Sequence, residues 1–238
     1  MTELIFRDDA YARECQSRVI EINERGGILL DRTVFYATGG GQPGDCGELI
    51  LEDGSVCPIA TTVYDTDRRI VHVAPEGSPL PQPGSVVTCR LDWDVRHAHM
   101  RMHTALHLLC AVVPYPVTGG QIGAERGRLD FNVPQGGLDK HEITDALNQL
   151  IAGNHDVSMR WISDEELLAN PDLVKTMTVN PPMGTGKVRL IEIGGCDLQP
   201  CGGTHVANTS EIGEVHVAKI ESKGGKNRRV RLEFRTQG

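Results

Sequence analysis

The chain has 238 residues, 39% of them hydrophobic and 24% charged, which is length for two domains and enough apolar content to exclude a disordered chain. Against 32 Asp and Glu stand 24 Lys and Arg, so the formal net charge of −8 excludes attachment to nucleic acid by bulk positive charge, though not by a local basic patch. Ten Phe, Trp and Tyr are too few for a single-strand binder built from rows of stacking platforms.

The first ninety residues read as β. Runs rich in Val, Ile, Leu and Thr cover Arg18–Asn23, Gly27–Tyr36, Gly47–Leu51, Val56–Tyr64, Arg69–Ala74 and Ser85–Asp92. Turn residues separate them at Gly26-Gly27, Asp53-Gly54 and Pro75–Gly84. Short strands at this spacing predict a small barrel or sandwich. From Asp94 to Val113 the chain has no Pro or Gly and carries Val95, Met102, Leu106, Leu109 and Val113 at helical spacing, with Asp94 as the expected cap. Gly127–Val133 returns to strand. Leu138, Ile143, Leu147, Leu150 and Ile151 mark a second helix after Asp139, Val157–Ile162 a strand, and Ser163-Asp-Glu-Glu a capping-box start. Pro181-Pro182 breaks the chain, and Lys187–Ile193, Glu214–Glu221 and Arg229–Arg235 read as strands. The fold expected is α+β, with a β-barrel-like domain over residues 1–92 and an α+β domain with antiparallel sheet and a metal-bearing helix over 93–238.

The N-terminus mixes both charges and has no signal-peptide run. Ala105–Val113, the most apolar stretch after it, is well short of the ~20 residues that span a bilayer and contains His107. Seven cysteines without framework spacing predict a reduced, cytoplasmic protein with thiols free for metal.

Two motifs carry chemistry. His103-Thr-Ala-Leu-His107 places two imidazoles one helical turn apart, on one face and close enough to ligate one ion. Thr104 stands where a metalloprotease helix needs its Glu, which argues against a peptidase. His99 makes a second pair of the same spacing with His103, so the pair that binds is open at this level. The other motif is Cys196-Asp-Leu-Gln-Pro-Cys201-Gly-Gly-Thr-His205, where a thiolate and an imidazole flank two glycines, with Cys196 as the alternative sulfur. Together they assemble three His and one Cys, a donor set that suits Zn²⁺.

MHTALHLL and CGGTH resemble the editing domain of alanyl-tRNA synthetase and its free-standing relatives, the AlaX proteins. Further likeness lies in TGGGQPGDCG (Thr38–Gly47), QIGAERGRLDF (Gln121–Phe131) and KIESKGGKNRRVRLEF (Lys219–Phe234), in order along almost the whole chain. No segment resembles a class II aminoacylation domain or a GxxxxGK(S/T) phosphate loop, so the likeness is to the medium-length AlaX type. It implies hydrolysis of the ester between a wrong amino acid, chiefly serine and then glycine, and the acceptor end of tRNA(Ala), in the service of translation fidelity. A synthetase pocket rejects a smaller side chain, or an isostere with an added hydroxyl, only weakly, so a second site has to remove the errors.

By the same resemblance His103, His107, Cys201 and His205 match the family's zinc ligands, and Thr118 and Gln121 fall where the family lines its amino-acid pocket. Four protein ligands are the pattern of a structural zinc, and no general base accompanies the motifs. The loop Thr38–Gly47 has five glycines within residues 39–47, backbone that can approach a ligand closely or simply turn tightly. The resemblance places Gly40, Gly41 and Gln42 at the border of the editing site. Lys219–Arg235 carries a local balance of +5, and Lys223, Lys226, Arg228 and Arg229 are its candidates for tRNA phosphates, with Arg96, Arg101, Arg126 and Arg128 as a possible extension. Two other functions fit these features: a non-catalytic tRNA-binding module with structural zinc, and a metallohydrolase of small esters.

Overall fold

The computed structural model describes residues 2–133, 137–176 and 186–235. Pro181-Pro182 lies outside them. The fold is α+β, in two compact units, Met1–His97 and Ala98–Gly238.

The first unit contains β1 (Glu3–Leu4), α1 (Ile5–Asp8), β2 (Glu14–Ile22), β3 (Ile28–Leu30), β4 (Arg32–Thr33), β5 (Gly47–Leu51), β6 (Val56–Ile59), β7 (Thr61–Tyr64), β8 (Ile70–Val73) and β9 (Val86–Leu91). Seven of these form one antiparallel sheet in the order β6-β5-β9-β2-β3-β8-β7. Its two edge strands are consecutive in the chain, with only Ala60 between them, and the Ala60 N–H donates to the Val73 carbonyl at 2.8 Å. One bent segment thus serves both edges, and the sheet nearly closes on itself, which leaves little open edge. The inward faces of the strands bury Val19, Leu30, Leu49, Val87 and Leu91 with Phe35 as one core.

Three expectations need adjusting here. Strand β2 begins at Glu14, four residues early, because the polar segment Glu14–Arg18 pairs with β9. The single run Gly27–Tyr36 is two strands, since β3 ends at Leu30 and β4 pairs in parallel with β1. The run Val56–Tyr64 divides at Ala60, where the chain passes from one sheet edge to the other.

Helix α2 (Trp93–Val112) is capped by Asp92, whose carboxylate accepts from the Val95 N–H at 3.2 Å, and not by Asp94, which lies inside the first turn. Residues 102–109 are buried on every side, so this is a core helix rather than a one-faced one. The second unit continues with β10 (Val117–Gln121), β11 (Arg126–Asn132), α3 (Lys140–Ala152), β12 (Val157–Ile162), α4 (Asp164–Ala169), β13 (Val188–Ile193), β14 (Asp197–Pro200), β15 (Val215–Ser222) and β16 (Asn227–Phe234). Two antiparallel sheets result, β10-β11-β16-β15 and β12-β13-β14. Gly127 of β11 faces α2, where a Cβ would come within 2.8 Å of Met102 and 3.0 Å of Leu106, so glycine sets how closely helix and sheet approach. Asp139 caps α3 by accepting from the His141 and Glu142 N–H groups. Thr144 and Asn148 of α3 bond the backbone of β15 at Val217 and Val215, which covers that sheet edge. Among the described residues no helix is long and apolar enough to cross a membrane.

Candidate metal centre

The helix α2 presents His103 and His107 one turn apart, and the segment that follows β14 brings Cys201 and His205 against them. The ligand atoms of these four side chains all lie within 4.8 Å of one another. Cys201 Sγ is 3.5 Å from His103 Nε2 and 3.3 Å from His205 Nε2. A tetrahedral zinc with Zn–N of ~2.0–2.1 Å and Zn–S of ~2.3 Å has ligand atoms about 3.3–3.6 Å apart, so the sulfur–nitrogen separations already fit. His99 is buried but outside this group, and Cys196 is in the β13–β14 turn, its Sγ 3.7 Å from the Gly194 carbonyl. Of the alternatives left open by spacing, the fold brings His103, His107 and Cys201 together with His205.

Neighbouring groups orient the ring nitrogens. The Thr104 hydroxyl donates to the Met100 carbonyl at 2.9 Å and so can only accept from His205 Nδ1, 3.1 Å away, which leaves Nε2 turned toward Cys201. His107 Nδ1 lies 3.0 Å from Asp197 Oδ2, leaving its Nε2 for the centre. Asp197 is itself held by Lys175 Nζ and by Gln199 Nε2, the latter at 2.8 Å. Carboxylates of this kind fix the tautomer of metal-binding histidines. Burial would raise the Asp197 carboxyl, but the hydrogen bond and charge of His107, with Lys175 and Gln199, bring it down to about 2. Burial would lower His107, yet Asp197 and Cys201 raise it to about 9. Burial likewise would raise the Cys201 thiol, and the charges of His103 and His205 carry it well below its ordinary value.

Sequence reading passed over three of these neighbours. Asp197 and Gln199 share a face with Cys201 at the two-residue period of β14, a signal that alternation in Asp197–Cys201 does contain. Lys175 has no local signal. Arg189 is a further one: only 8% exposed, it donates through Nη1 to the carbonyls of Cys201 (3.2 Å) and Gly203 (2.8 Å), while its own carbonyl accepts from the Cys201 N–H. This grip shapes the Cys201–Gly203 turn, in which the Gly203 N–H points at Cys201 Sγ at 3.4 Å.

The remaining candidates are distributed as follows. Thr118 is half-buried on β10, its hydroxyl 3.1 Å from the Asp130 carbonyl and 3.3 Å from Asn227 Oδ1. Gln121 is exposed at the end of β10 and accepts from Arg128 Nε at 3.2 Å. In the first unit Gly40 and Gly41 are the central residues of a two-residue turn, with φ of +56° and +83° and paired bonds between Gly39 and Gln42. Both signs of φ suit a type I′ turn, which explains the glycines. The N–H groups of Gly39, Gln42 and Gly44 are engaged within the loop, and Gln42 is fully buried. Within the loop Thr38 and the Gly40-Gly41 tip are exposed.

The basic segment divides. Lys223, Lys226 and Arg228 surround the β15–β16 turn, whereas Arg229 forms a two-pronged pair with Asp130 at 2.7 and 2.8 Å. Arg96 is no part of a basic surface. It is completely buried, bonded to both oxygens of Asp45 and to the carbonyls of Val34 and Ala10. Arg101 is bonded to the Ile212 carbonyl and lies over the Phe234 ring, and Arg128 pairs with Asp130; Arg126 is exposed.

A family model described as the threonyl and alanyl tRNA synthetase second additional domain matches residues 188–231, which span both metal-loop residues and the basic hairpin. A second, described as tRNA synthetases class II (A), matches residues 8–95. That match falls on the residues that form the nearly closed β sheet. The AlaX-M alanyl-tRNA editing protein of Methanosarcina acetivorans is 34% identical over 97% of this chain and 98% of its own. That of Saccharolobus solfataricus is 35% identical with the same coverage of both chains. The alanine–tRNA ligase of Pyrobaculum aerophilum is 31% identical over 92% of this chain but only 25% of its own length. Likeness that runs end to end against the editing proteins, and covers only a quarter of the ligase, means that this chain belongs to the AlaX family of alanyl-tRNA editing proteins.

Proposed function

We propose that the protein is a zinc-dependent trans-editing deacylase that hydrolyses the aminoacyl ester of mischarged tRNA(Ala), chiefly Ser-tRNA(Ala) and also Gly-tRNA(Ala). The observation that carries this is the convergence of His103, His107, Cys201 and His205 in a chain similar to AlaX-M proteins along its whole length. Three imidazoles and a thiolate form a donor set suited to Zn²⁺. Bound there, zinc supplies a fixed positive charge that polarises or orients an aminoacyl ester.

The chain's own side chains do the positioning. Asp197 and Thr104 aim His107 and His205 through their Nδ1 atoms, and Arg189 holds the carbonyls of the Cys201–Gly203 turn. Thr118 and Gln121 are the proposed contacts for the amino acid, with Gly40 and Gly41 as further substrate contacts and Gln42, which is fully buried, holding their turn through its paired bonds with Gly39. Of that loop, the exposed Gly40-Gly41 tip is the part free to meet RNA. A hydrogen bond made to a serine hydroxyl has no counterpart with alanine, and a buried partner left unpaired gives large discrimination. Lys223, Lys226 and Arg228 at the β15–β16 turn are proposed to meet acceptor-stem phosphates, with Arg229 serving through its pair with Asp130.

The test is deacylation of seryl-, glycyl- and alanyl-tRNA(Ala) with and without chelation, beside Cys201→Ala. Metal-dependent loss of serine with alanine spared is the expected result. The closed four-ligand set favours one rival, a tRNA-binding module with structural zinc. Salt-dependent tRNA binding without turnover on any of the three substrates would establish that rival instead.

A further inference from the structure

Cys15 and Cys89 are directly opposed in the antiparallel pairing of β2 with β9. Opposed residues put their side chains on the same face of a sheet, with Cα atoms about 4.5–5.5 Å apart. That separation is inside the ~4.4–6.8 Å range that a disulfide spans without backbone movement. Both sulfurs converge on one hydroxyl, each lying 3.3 Å from Ser17 Oγ, which is anchored by donation to the Arg32 carbonyl at 2.8 Å. Cys15 is half-buried and Cys89 fully buried, so one sulfur of the pair is within reach of a small oxidant and the other is sheltered.

We propose that Cys15 and Cys89 are a peroxide-sensitive thiol pair that closes reversibly into a disulfide across β2 and β9. The Cys15 thiolate attacks hydrogen peroxide, the O–O bond breaks, and hydroxide leaves to become water, leaving a sulfenic acid on Cys15. Cys89 then gives up its proton and attacks the Cys15 sulfur; the S–O bond breaks and a second water forms. Two electrons pass from the two sulfurs to the peroxide.

The local electrostatics suit this order. The hydrogen bond from Cys89, aided by Ser17, the Val34 backbone and the Arg32 charge, outweighs burial and brings the Cys15 thiol down to about 6. The same Cys15 thiolate is the first cause, ahead of burial, that holds the proton on Cys89. Converting Cys15 to a neutral sulfenic acid removes that cause at the moment when Cys89 must ionise. Low-pKa, accessible thiols beside a resolving thiol are the ones that oxidise selectively. Cys57 is no competitor for Cys89. It sits on β6 beyond β5, two strand spacings or about 9.6 Å away, too far to bridge.

The test treats the reduced, zinc-loaded protein with hydrogen peroxide, alkylates the remaining thiols and maps peptides without reduction. The expected product joins the Cys15 and Cys89 peptides, is lighter than their sum by two hydrogens, and disappears on treatment with dithiothreitol. Bridging should raise the thermal midpoint, and Cys15→Ser, at the half-buried position, should fold while abolishing both the bridge and the shift. A Cys15 sulfinic acid with Cys89 still free, a bridge to any other cysteine, or an intact Cys15 thiol when Cys201 is oxidised would each overturn the proposal. None of these readouts depends on tRNA deacylation.

Discussion

Asp197 Oδ2 lies 3.0 Å from His107 Nδ1, joining a carboxylate on β14 to an imidazole on α2 from the side away from Cys201 and the other two rings. The contact settles which nitrogen of His107 faces Cys201 and the other two rings. It is the tertiary counterpart of the two sequence motifs, since it fixes one with a residue that belongs to the other.

Replacing Asp197 with Ala should therefore weaken zinc binding about 10–100-fold without emptying the core, the usual effect of losing such a partner. Competition with a chromophoric chelator measures it. Asp197→Asn, which keeps an acceptor for the His107 N–H, should recover part of the loss. Equal zinc affinity in all three proteins would show that the carboxylate does not orient the ligand.

Gly44 and Gly40 should respond to alanine very differently, although both belong to the same loop. A Cβ on Gly44 would lie 1.9 Å from the Thr62 carbonyl oxygen, whereas one on Gly40 meets nothing within 4 Å. Gly44→Ala is expected to cost about 3 kcal/mol or more, because rigid backbone has to move. Gly40→Ala should cost about 1–2 kcal/mol, the strain of an L-residue at φ +56°. Urea unfolding of the two variants gives the comparison, and equal losses would contradict it.

The buried Arg96–Asp45 pair is the third target. Arg96→Met leaves the Asp45 carboxylate without its cation in a site where both side chains are essentially inaccessible. Removing one member of such a pair is expected to destabilise by about 3–5 kcal/mol, far more than an exposed pair such as Arg90–Glu14 would show on Arg90→Met. Denaturant midpoints of the two variants test the contrast.

Stability should also fall below neutral pH through His72. Its Nδ1–H donates to the Ile28 carbonyl, and Nε2 accepts from the Thr33 hydroxyl at 2.8 Å, so the ring is built in neutral. Burial lowers it to about 4, only partly opposed by the Ile28 bond. Between pH ~6.5 and 4 the unfolded chain binds a proton that the folded one refuses, so stability drops as pH falls through that window and levels off below it. The full effect is on the order of 3 kcal/mol for a shift of this size. Unfolding free energies across the window should slope less steeply for His72→Gln than for the unaltered protein.

What the chain determines locally was open to reading from the sequence. Strand alternation, the unbroken run of α2, the Ser163 capping box and the His-Thr-Ala-Leu-His and Cys-Gly-Gly-Thr-His spacings all depend on neighbours within a turn or two. That is enough to name the α+β class and to offer the His and Cys candidates, but spacing left His99 and Cys196 open as alternatives, and the set of four came from the family resemblance. Tertiary structure decided the rest, because it concerns partners far apart in the chain. Periodicity cannot show that His99 stands apart while His107 meets Asp197, or that Arg189 grips the metal loop. Nor can charge alone show that Arg96 and Arg229 are neutralised by Asp45 and Asp130 while Lys226 stays exposed. An arginine reads the same in sequence whether it faces water or a buried carboxylate; only the register of β2 on β9, or of β11 on β16, chooses which side chains share a face.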